Sequence, residues 1–310
     1  MGGFPMLLKQ QPFYSALTSR HPGLVERVRK IIEESERKFS ASGSRRRKTA
    51  AGSDESFLWE HTVLVTSLSF RLAQAEKEDP VLAAVAALFH DAGKFSGGRY
   101  HRGGRPEEES AALKAREILE DADVEMAAVG HVVRALRSLY NAGARRNRLA
   151  DIVHDADFLS KFGLLGVANF FVKSTLRGRT LEAALADYLS KELSYAAVLP
   201  ANMRTDAARK MARKKSADTL RFYRGFLAEL KESHGLDFRV RPYSVARPGR
   251  PGRTAAVSLV LPASCGACGG RWDVELRTEP GLKCEKLEAE VRCLSCEARH
   301  TIGFCLPELA

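Results

Sequence analysis

The stretch ALFHDAGKF, residues 87–95, closes an apolar run on the ionisable side chains of His90, Asp91 and Lys94. The run has the composition of a buried helix, and Gly93 is expected to end it. Neighbouring residues on a helix point about 100° apart, so His90 and Asp91 can bind one ion only by straddling it, most easily where the helix ends. Since histidine and carboxylate on an apolar face need compensation for their burial, the stretch predicts a divalent metal ion.

Helical periodicity extends on both sides of this stretch. In residues 57–75 apolar side chains recur every three or four positions, and His61 lies on the same stripe, which is expected to face a core. Asp79 and Pro80 form an N-cap and first-turn pair that starts the next helix. Further helical patterns cover 22–39, 106–121, 123–140, 148–163, 165–176, 180–198 and 204–233. The fold is therefore predicted to be mainly α.

The composition changes after residue 235 and predicts a second domain. Residues 236–253 are rich in Arg, Pro and Gly, which is typical of an extended linker. From residue 254 the apolar period becomes two, and the segments AVSLVLPA and EAEVRC are typical of strands that each lead into a Cys pair. The predicted borders are 1–235 for a helical domain, 236–253 for a linker and 254–310 for a small β domain.

The net charge of +11 belongs to the first part of the chain, since residues 254–310 hold six Lys and Arg against eight Asp and Glu. A basic excess favours polyanionic partners, either phosphorylated small molecules or nucleic acid, while a solvated surface is the alternative for each basic cluster. No apolar run approaches the roughly 20 residues that span a bilayer, and the start of the chain has no secretory pattern. We therefore expect a cytoplasmic protein without a membrane partner.

Three segments together resemble the H…HD…D signature of HD-domain phosphohydrolases: His61, then HDAGK at 90–94, then HDADFL at 154–159. The resemblance covers roughly residues 55–175 and implies an HD-type helical bundle. Its implied metal ligands are His61, His90, Asp91 and Asp157. Asp155 is the rival for the last position, although it does not occupy the A-D-x-L place of the motif.

Many members of this superfamily bind a second ion through additional histidines between the HD pair and the final Asp. His101 and His131 lie in comparable stretches and are the candidates, with a satisfied core or surface histidine as the alternative for each. Mixed His and Asp sites accept several divalent ions. One or two ions of Mn, Mg, Ni, Co, Fe or Zn are therefore expected.

The chemistry implied by the resemblance is hydrolysis of a phosphoester by metal-activated water. Asp91 is expected to serve also as the group that orients or deprotonates this water, and Lys94 to contact a phosphate oxygen. Residues 94–105 contain no acid, and Arg99, Arg102 and Arg105 lie among glycines in this segment. Since arginine pairs with phosphate in a bidentate manner, we expect the segment to bind the substrate, with a simple surface loop as the alternative.

Six cysteines lie between residues 265 and 305, and four of them form the pairs CGAC at 265–268 and CLSC at 293–296. Two such pairs suit one tetrahedral Zn²⁺ and resemble a zinc ribbon. Disulfides are the competing interpretation, which a reducing cytosol disfavours. The predicted structural zinc ligands are Cys265, Cys268, Cys293 and Cys296, while Cys284 and Cys305 remain outside this scheme.

Three functions are compatible with the sequence. The first is a phosphomonoesterase or phosphodiesterase that acts on a nucleotide or related phosphorylated small molecule. The second is an HD-type nuclease or nucleic-acid end phosphatase, since the HD domains of CRISPR effector nucleases carry a similar HDxGK. The third is a non-catalytic scaffold that binds a partner through the ribbon.

Overall fold

The computed structural model describes residues 8–42, 56–95, 106–140, 147–176, 178–185, 189–234, 237–246, 254–279 and 284–307. The chain divides into two compact units. Unit 1 contains Met1–Ser160 with Arg204–Ala208, and unit 2 contains Lys161–Met203 with Arg209–Ala310.

Unit 1 is helical. One short helix, Pro80–Phe89, lies in the core of this unit, and almost all of its residues are buried. Its Ala and other small side chains let neighbouring helices approach closely. Asp79 starts this helix, since its Oδ1 accepts hydrogen bonds from the amides of Val81 at 2.8 Å and Leu82 at 3.1 Å. The helices of the unit are α1 (Pro12–Arg20), α2 (Leu24–Ser42), α3 (Phe57–Ala75), α4 (Pro80–Phe89), α5 (Glu107–Asp121), α6 (Met126–Ser138) and α7 (Arg148–Ser160).

Helix α3 lies beside both α4 and α7. This packing brings His61, in the second turn of α3, close to the end of α4 and to the last turns of α7. The three elements that carry the sequence motif therefore meet in one place, although the motif spans about a hundred residues of sequence.

Unit 2 combines helices with all the strands described. Its helices are α8 (Gly163–Leu176), α9 (Leu181–Ala184), α10 (Ser190–Asn202) and α11 (Asp206–His234), of which α11 begins in unit 1. Strands β1 (Phe238–Ala246) and β2 (Thr254–Pro262) form an antiparallel pair. Strands β3 (Trp272–Glu279), β4 (Cys284–Cys293) and β5 (Arg299–Pro307) form an antiparallel sheet in the order β3-β4-β5.

Strand β2 is buried on both faces. Alternate residues Val257, Leu259 and Leu261 pack with the buried residues of β4 and β5, while Val260 packs with the helical core. Along the strand, the amides of Ser258 and Val260 donate to the hydroxyls of Ser194 and Ser190 on α10, each at 2.8 Å. The two serines lie one helical turn apart. Their hydroxyls accept hydrogen bonds from strand-edge amides that would otherwise be unpaired.

The fold class predicted from the sequence is confirmed: the protein is mainly α, with small antiparallel sheets in its last third. Residues 238–246, placed in the linker by composition, form strand β1, and each pairs with a residue of β2. The borders 1–235, 236–253 and 254–310 remain predictions. Within the described residues, no helix is both long and apolar enough to cross a membrane.

Candidate metal centre

The HDAGK segment forms a tight turn after α4. The helix ends at Phe89, earlier than expected, and residues 90–95 continue as turns stabilised by the Ala92 amide to the Phe89 carbonyl and the Lys94 amide to the Asp91 carbonyl. The Nζ of Lys114 donates to the Ala92 carbonyl at 2.7 Å. The turn therefore holds the histidine and the carboxylate on a fixed backbone.

Gly93 has a different role from the one expected. A Cβ at this position would lie 2.0 Å from the carbonyl oxygen of Glu107 and 2.6 Å from the amide of Ala111, both on α5. These backbone atoms belong to a helix, so they cannot shift without moving the helix itself. The glycine of the motif is therefore required because the turn touches the backbone of α5 directly.

We expect Gly93→Ala to lower the free energy of unfolding by about 3 kcal/mol, because the added methyl group overlaps with helix backbone. Gly130→Ala on α6 is the matched control, since its Cβ would meet only a side-chain nitrogen of Arg134 at 3.6 Å. The control is expected to be neutral or slightly stabilising, as alanine favours a helix interior over glycine. Urea unfolding of both variants measures the difference, and equal effects would contradict this explanation.

His90 is buried and presents one nitrogen to the candidate site. Its Nδ1 lies 2.7 Å from the carbonyl oxygen of Ala87, and a carbonyl only accepts, so Nδ1 carries the proton. In the neutral ring, Nε2 then holds a lone pair. It lies 3.4 Å from the Nε2 of His61.

His61 is oriented in the same way by a serine. The Oγ of Ser160 donates to the Asp157 carbonyl at 2.7 Å, so it can only accept from the Nδ1 of His61, 3.4 Å away. Burial lowers the pKa of the His61 ring, against the opposing charges of Asp157 and Asp91, so the ring favours its neutral form. The Nε2 atoms of the two rings thus face each other, 3.4 Å apart.

Two carboxylates complete the group. Oδ1 of Asp157 lies 3.2 Å from the Nε2 of His61, and Oδ2 of Asp91 lies 3.7 Å from His61 and 3.6 Å from His90. The phenol of Tyr140 donates a hydrogen bond to Oδ2 of Asp157. Burial, with the charge of Asp157 beside it, raises the pKa of Tyr140 well above its usual value, so the phenol stays protonated.

Asp91 also pairs with Lys94, whose Nζ lies 2.8 Å from Oδ2. Burial by itself raises the pKa of the Asp91 carboxyl, but the ammonium of Lys94 outweighs it and holds the pKa well below its usual range. Asp91 is therefore ionised at neutral pH.

These residues fit a divalent metal ion. Two ligands about 2.1 Å from one ion and separated by a tetrahedral angle lie about 3.4 Å apart, close to the distances among these nitrogens and oxygens. His61, His90 and Asp157 each offer an atom within 4.8 Å of the others. Facing lone pairs and carboxylate oxygens repel one another unless a cation lies among them.

Asp155, the rival to Asp157, is occupied elsewhere. It is fully buried, and its two oxygens accept from the amides of Arg204 and Thr205 at 2.8–3.0 Å and from the Thr205 hydroxyl at 2.9 Å. It also bonds to the Nδ1 of His154 at 3.1 Å. Asp155 thus fixes the segment before α11, and Asp157 is the carboxylate that faces the histidines.

The remaining predicted residues divide into two groups. The ring of His131 is exposed on α6, and His131 does not belong to the group formed by His61, His90 and Asp157 in the described part of the chain. The second-ion role of His131 remains a prediction. The other four lie in 96–105, outside the residues that the structure describes: Arg99, His101, Arg102 and Arg105.

A second group of ligands lies in unit 2. Cys265, Cys268, Cys293 and Cys296 each place a sulfur within 4.8 Å of the others, with Sγ distances of 3.7 Å from Cys265 to Cys296 and 3.5 Å from Cys268 to Cys293. Sulfurs about 2.3 Å from one tetrahedral zinc are about 3.8 Å apart. The four thiols therefore fit a structural zinc.

The two cysteine pairs are built alike. In each, the residue after the second cysteine has a positive φ, +70° at Gly269 and +58° at Glu297. In each, its amide donates back to the carbonyl of the first cysteine, at 2.7 Å for Gly269 and 3.1 Å for Glu297. The amides of Cys296 and Ser295 lower the pKa of Cys293, which favours the thiolate that binds metal, while hydrogen bonds from the neighbouring cysteines raise the pKa of Cys268.

Comparison with known proteins finds a family match for one segment of the helical region. Residues 58–161 match the HD domain family. YpgQ of Bacillus subtilis shares 19% identity, with 69% of this chain and 98% of that chain covered and a TM-score of 0.47. A predicted HD superfamily hydrolase from an uncultured Thermotogales bacterium shares 24% identity, with 65% and 91% covered and a TM-score of 0.43.

Comparison with curated proteins gives no match. The HD domain match begins in α3, ends just after α7, and contains His61, His90, Asp91 and Asp157. Residues 58–161 thus contain an HD domain.

Proposed function

We propose that this protein is a metal-dependent phosphohydrolase that cleaves a phosphoester of a nucleotide or related phosphorylated small molecule. The observation that carries the proposal is the pair of Nε2 atoms of His61 and His90, 3.4 Å apart, beside the carboxylates of Asp157 and Asp91. A divalent ion bound there lowers the pKa of a bound water and neutralises charge on a phosphoryl group.

The residues of the chain have distinct parts in this proposal. His61, His90 and Asp157 hold the ion, and their second atoms are fixed by Ser160, the Ala87 carbonyl and Tyr140. The ionised Asp91 completes the site and would orient the attacking water. The ammonium of Lys94, 22% exposed beside Asp91, is placed to contact an oxygen of the phosphate.

A substrate panel tests the proposal. Purified protein is assayed with mono-, di-, tri- and cyclic nucleotides, single-stranded DNA and single-stranded RNA, each with Mn²⁺, Mg²⁺, Ni²⁺ or Co²⁺. We expect metal-dependent release of phosphate, or cleavage of a phosphodiester, with at least one of the nucleotides. Turnover only of polynucleotides would favour the nuclease alternative, and no turnover with any ion would contradict the proposal.

Tyr140→Phe tests how the ligand Asp157 is positioned. Loss of the phenol leaves one carboxylate oxygen without its donor, so we expect the affinity for the divalent ion to fall by about 10- to 100-fold. Tyr223→Phe is the control, because the buried Tyr223 hydroxyl finds no hydrogen-bond partner in the described part of the chain. Calorimetric titration with Mn²⁺ measures both, and equal affinities for the two variants would argue against this role of Tyr140.

A further inference from the structure

Helix α11 carries a row of basic side chains along its exposed side. Each of these side chains lies three, four or seven residues from another one. They therefore fall within an arc of about 100° around the helix axis, over a length of about 30 Å. No acidic residue falls within this arc between its first and last members. We call it the basic row, formed by Lys210, Arg213, Lys214, Arg221, Arg224 and Lys231, all exposed.

Most of the charge in the basic row is not neutralised by the protein. Lys214 and Arg221 share one carboxylate, that of Asp218, at 2.7 Å and 3.0 Å. Lys231 pairs with Asp237 at 3.1 Å. The other three, Lys210, Arg213 and Arg224, make no ion pair or hydrogen bond with any described residue. The row therefore presents a line of positive charge that attracts an extended polyanion.

An open groove borders the basic row. Its volume is about 560 Å³, and Lys214 and Arg221 belong to both the row and the groove wall. Phe222 and Phe226 line it with partly exposed rings whose planes are 19° apart and whose centroids are separated by 5.7 Å. Gly225 meets no atom within 4 Å of a Cβ built on it, so the space between the rings and the cations is open.

We propose that the basic row and this groove bind single-stranded nucleic acid. The phosphates lie along the cations of α11, and a base rests on the rings of Phe222 and Phe226. A line of cations beside exposed aromatic faces is the combination that binds single strands, since every base has a π-face and the backbone charge is uniform. The binding is independent of the hydrolase proposal, since it uses no residue of the metal centre.

Three other polyanions fit less well. A membrane surface requires a helix that inserts an apolar face, but the apolar face of α11 is buried in unit 2, where Tyr223 and Leu230 are 1% and 4% exposed. An acidic protein gains nothing from the two rings that line the groove. A duplex keeps its bases stacked and leaves the rings unused.

The test measures binding of fluorescein-labelled oligo(dT) and oligo(U) to the zinc-loaded full chain by anisotropy, in buffer without added divalent ions. We expect binding of both whose log affinity falls with log salt at a slope between about −2 and −4. A triple variant should weaken binding at least about tenfold and reduce the magnitude of the salt slope by about 2. It combines Lys210→Gln, Arg213→Gln and Arg224→Gln. The control combines Lys30→Gln, Arg71→Gln and Arg116→Gln, three exposed cations of unit 1 with the same loss of charge, and should retain the affinity.

A second arm tests the rings. Phe226→Leu keeps an apolar side chain and should weaken oligo(dT) binding by roughly tenfold while leaving binding of a duplex of the same sequence unchanged. Vesicles with anionic phospholipid and polyglutamate serve as competitors. The proposal is overturned if the two triple variants lose affinity equally, if Phe226→Leu weakens duplex and single strand alike, or if either competitor binds more tightly than the oligonucleotides.

Discussion

His90→Ala is expected to lower turnover at least about a thousandfold and to remove the divalent ion from the HD domain, while about one zinc per chain remains. The reason is geometric, because the buried ring of His90 supplies one of the two Nε2 lone pairs and its other nitrogen is fixed on the Ala87 carbonyl. Elemental analysis of the purified protein and a turnover assay measure both effects.

His154→Gln is the matched control for this prediction. His154 is also buried on a helix of the HD domain, but its Nδ1 bonds to Asp155 and it is not one of the three residues that come together as candidate ligands in the described part of the chain. We expect this variant to keep its divalent ion and most of its turnover. Loss of the ion from His154→Gln but not from His90→Ala would contradict the assignment of ligands.

Cys265→Ser is expected to release the zinc and to unfold the sheet formed by β3, β4 and β5. The buried Cys265 sulfur is one of the four thiols that fit the zinc, and the free energy of zinc binding to small sites, about 10–16 kcal/mol, is folding free energy. The HD domain should keep its divalent ion, because its ligands lie in unit 1. Metal analysis and near-ultraviolet circular dichroism follow the change.

Leu294→Ala provides the comparison for the cysteine variant. Leu294 lies between two zinc ligands but is 59% exposed, so its removal should leave the zinc content at one per chain. If Cys265→Ser lost the zinc and the HD-domain ion together, the two metal sites would not be independent. If it kept the zinc, the four-cysteine site would be wrong.

The resemblance to HD-domain phosphohydrolases predicted the HD domain, and the structure brings three of the implied ligands together, His61, His90 and Asp157. His61 and the segments HDAGK and HDADFL each place polar groups beside apolar side chains. Burial of such polar groups is tolerated only where they are hydrogen-bonded or share a bound ion. The cysteine pairs were equally informative, since their spacing restricts the four thiols to one site. In both cases local residue types indicate which side chains can bind a metal.

Other features depended on tertiary contacts that no local pattern contains. Tyr140 follows α6 in a segment without a motif, and only the packing of helices brings its phenol to Asp157. The choice between Asp155 and Asp157 required the amides of Arg204 and Thr205, fifty residues away along the chain. Similarly, Gly93 was expected to end a helix, whereas its absent side chain makes room for the backbone of α5.

Strand β1 shows why composition misled. Its sequence FRVRPYSVA contains arginine and proline, which are typical of a linker, yet it pairs along its whole length with the buried strand β2. Pro242 is tolerated because β1 lies at the edge of a two-stranded pair, where one side makes no ladder. A polar sequence can thus form a strand when a neighbouring strand supplies the apolar face.

A crystal of the protein grown with Mn²⁺ gives the most direct test, through an anomalous difference map recorded near the manganese edge. The account predicts a peak about 2.2 Å from the Nε2 atoms of His61 and His90 and from a carboxylate oxygen of Asp157. A map with strong density at the four cysteines, but none among these three side chains at saturating Mn²⁺, would contradict the claim that they form a metal centre.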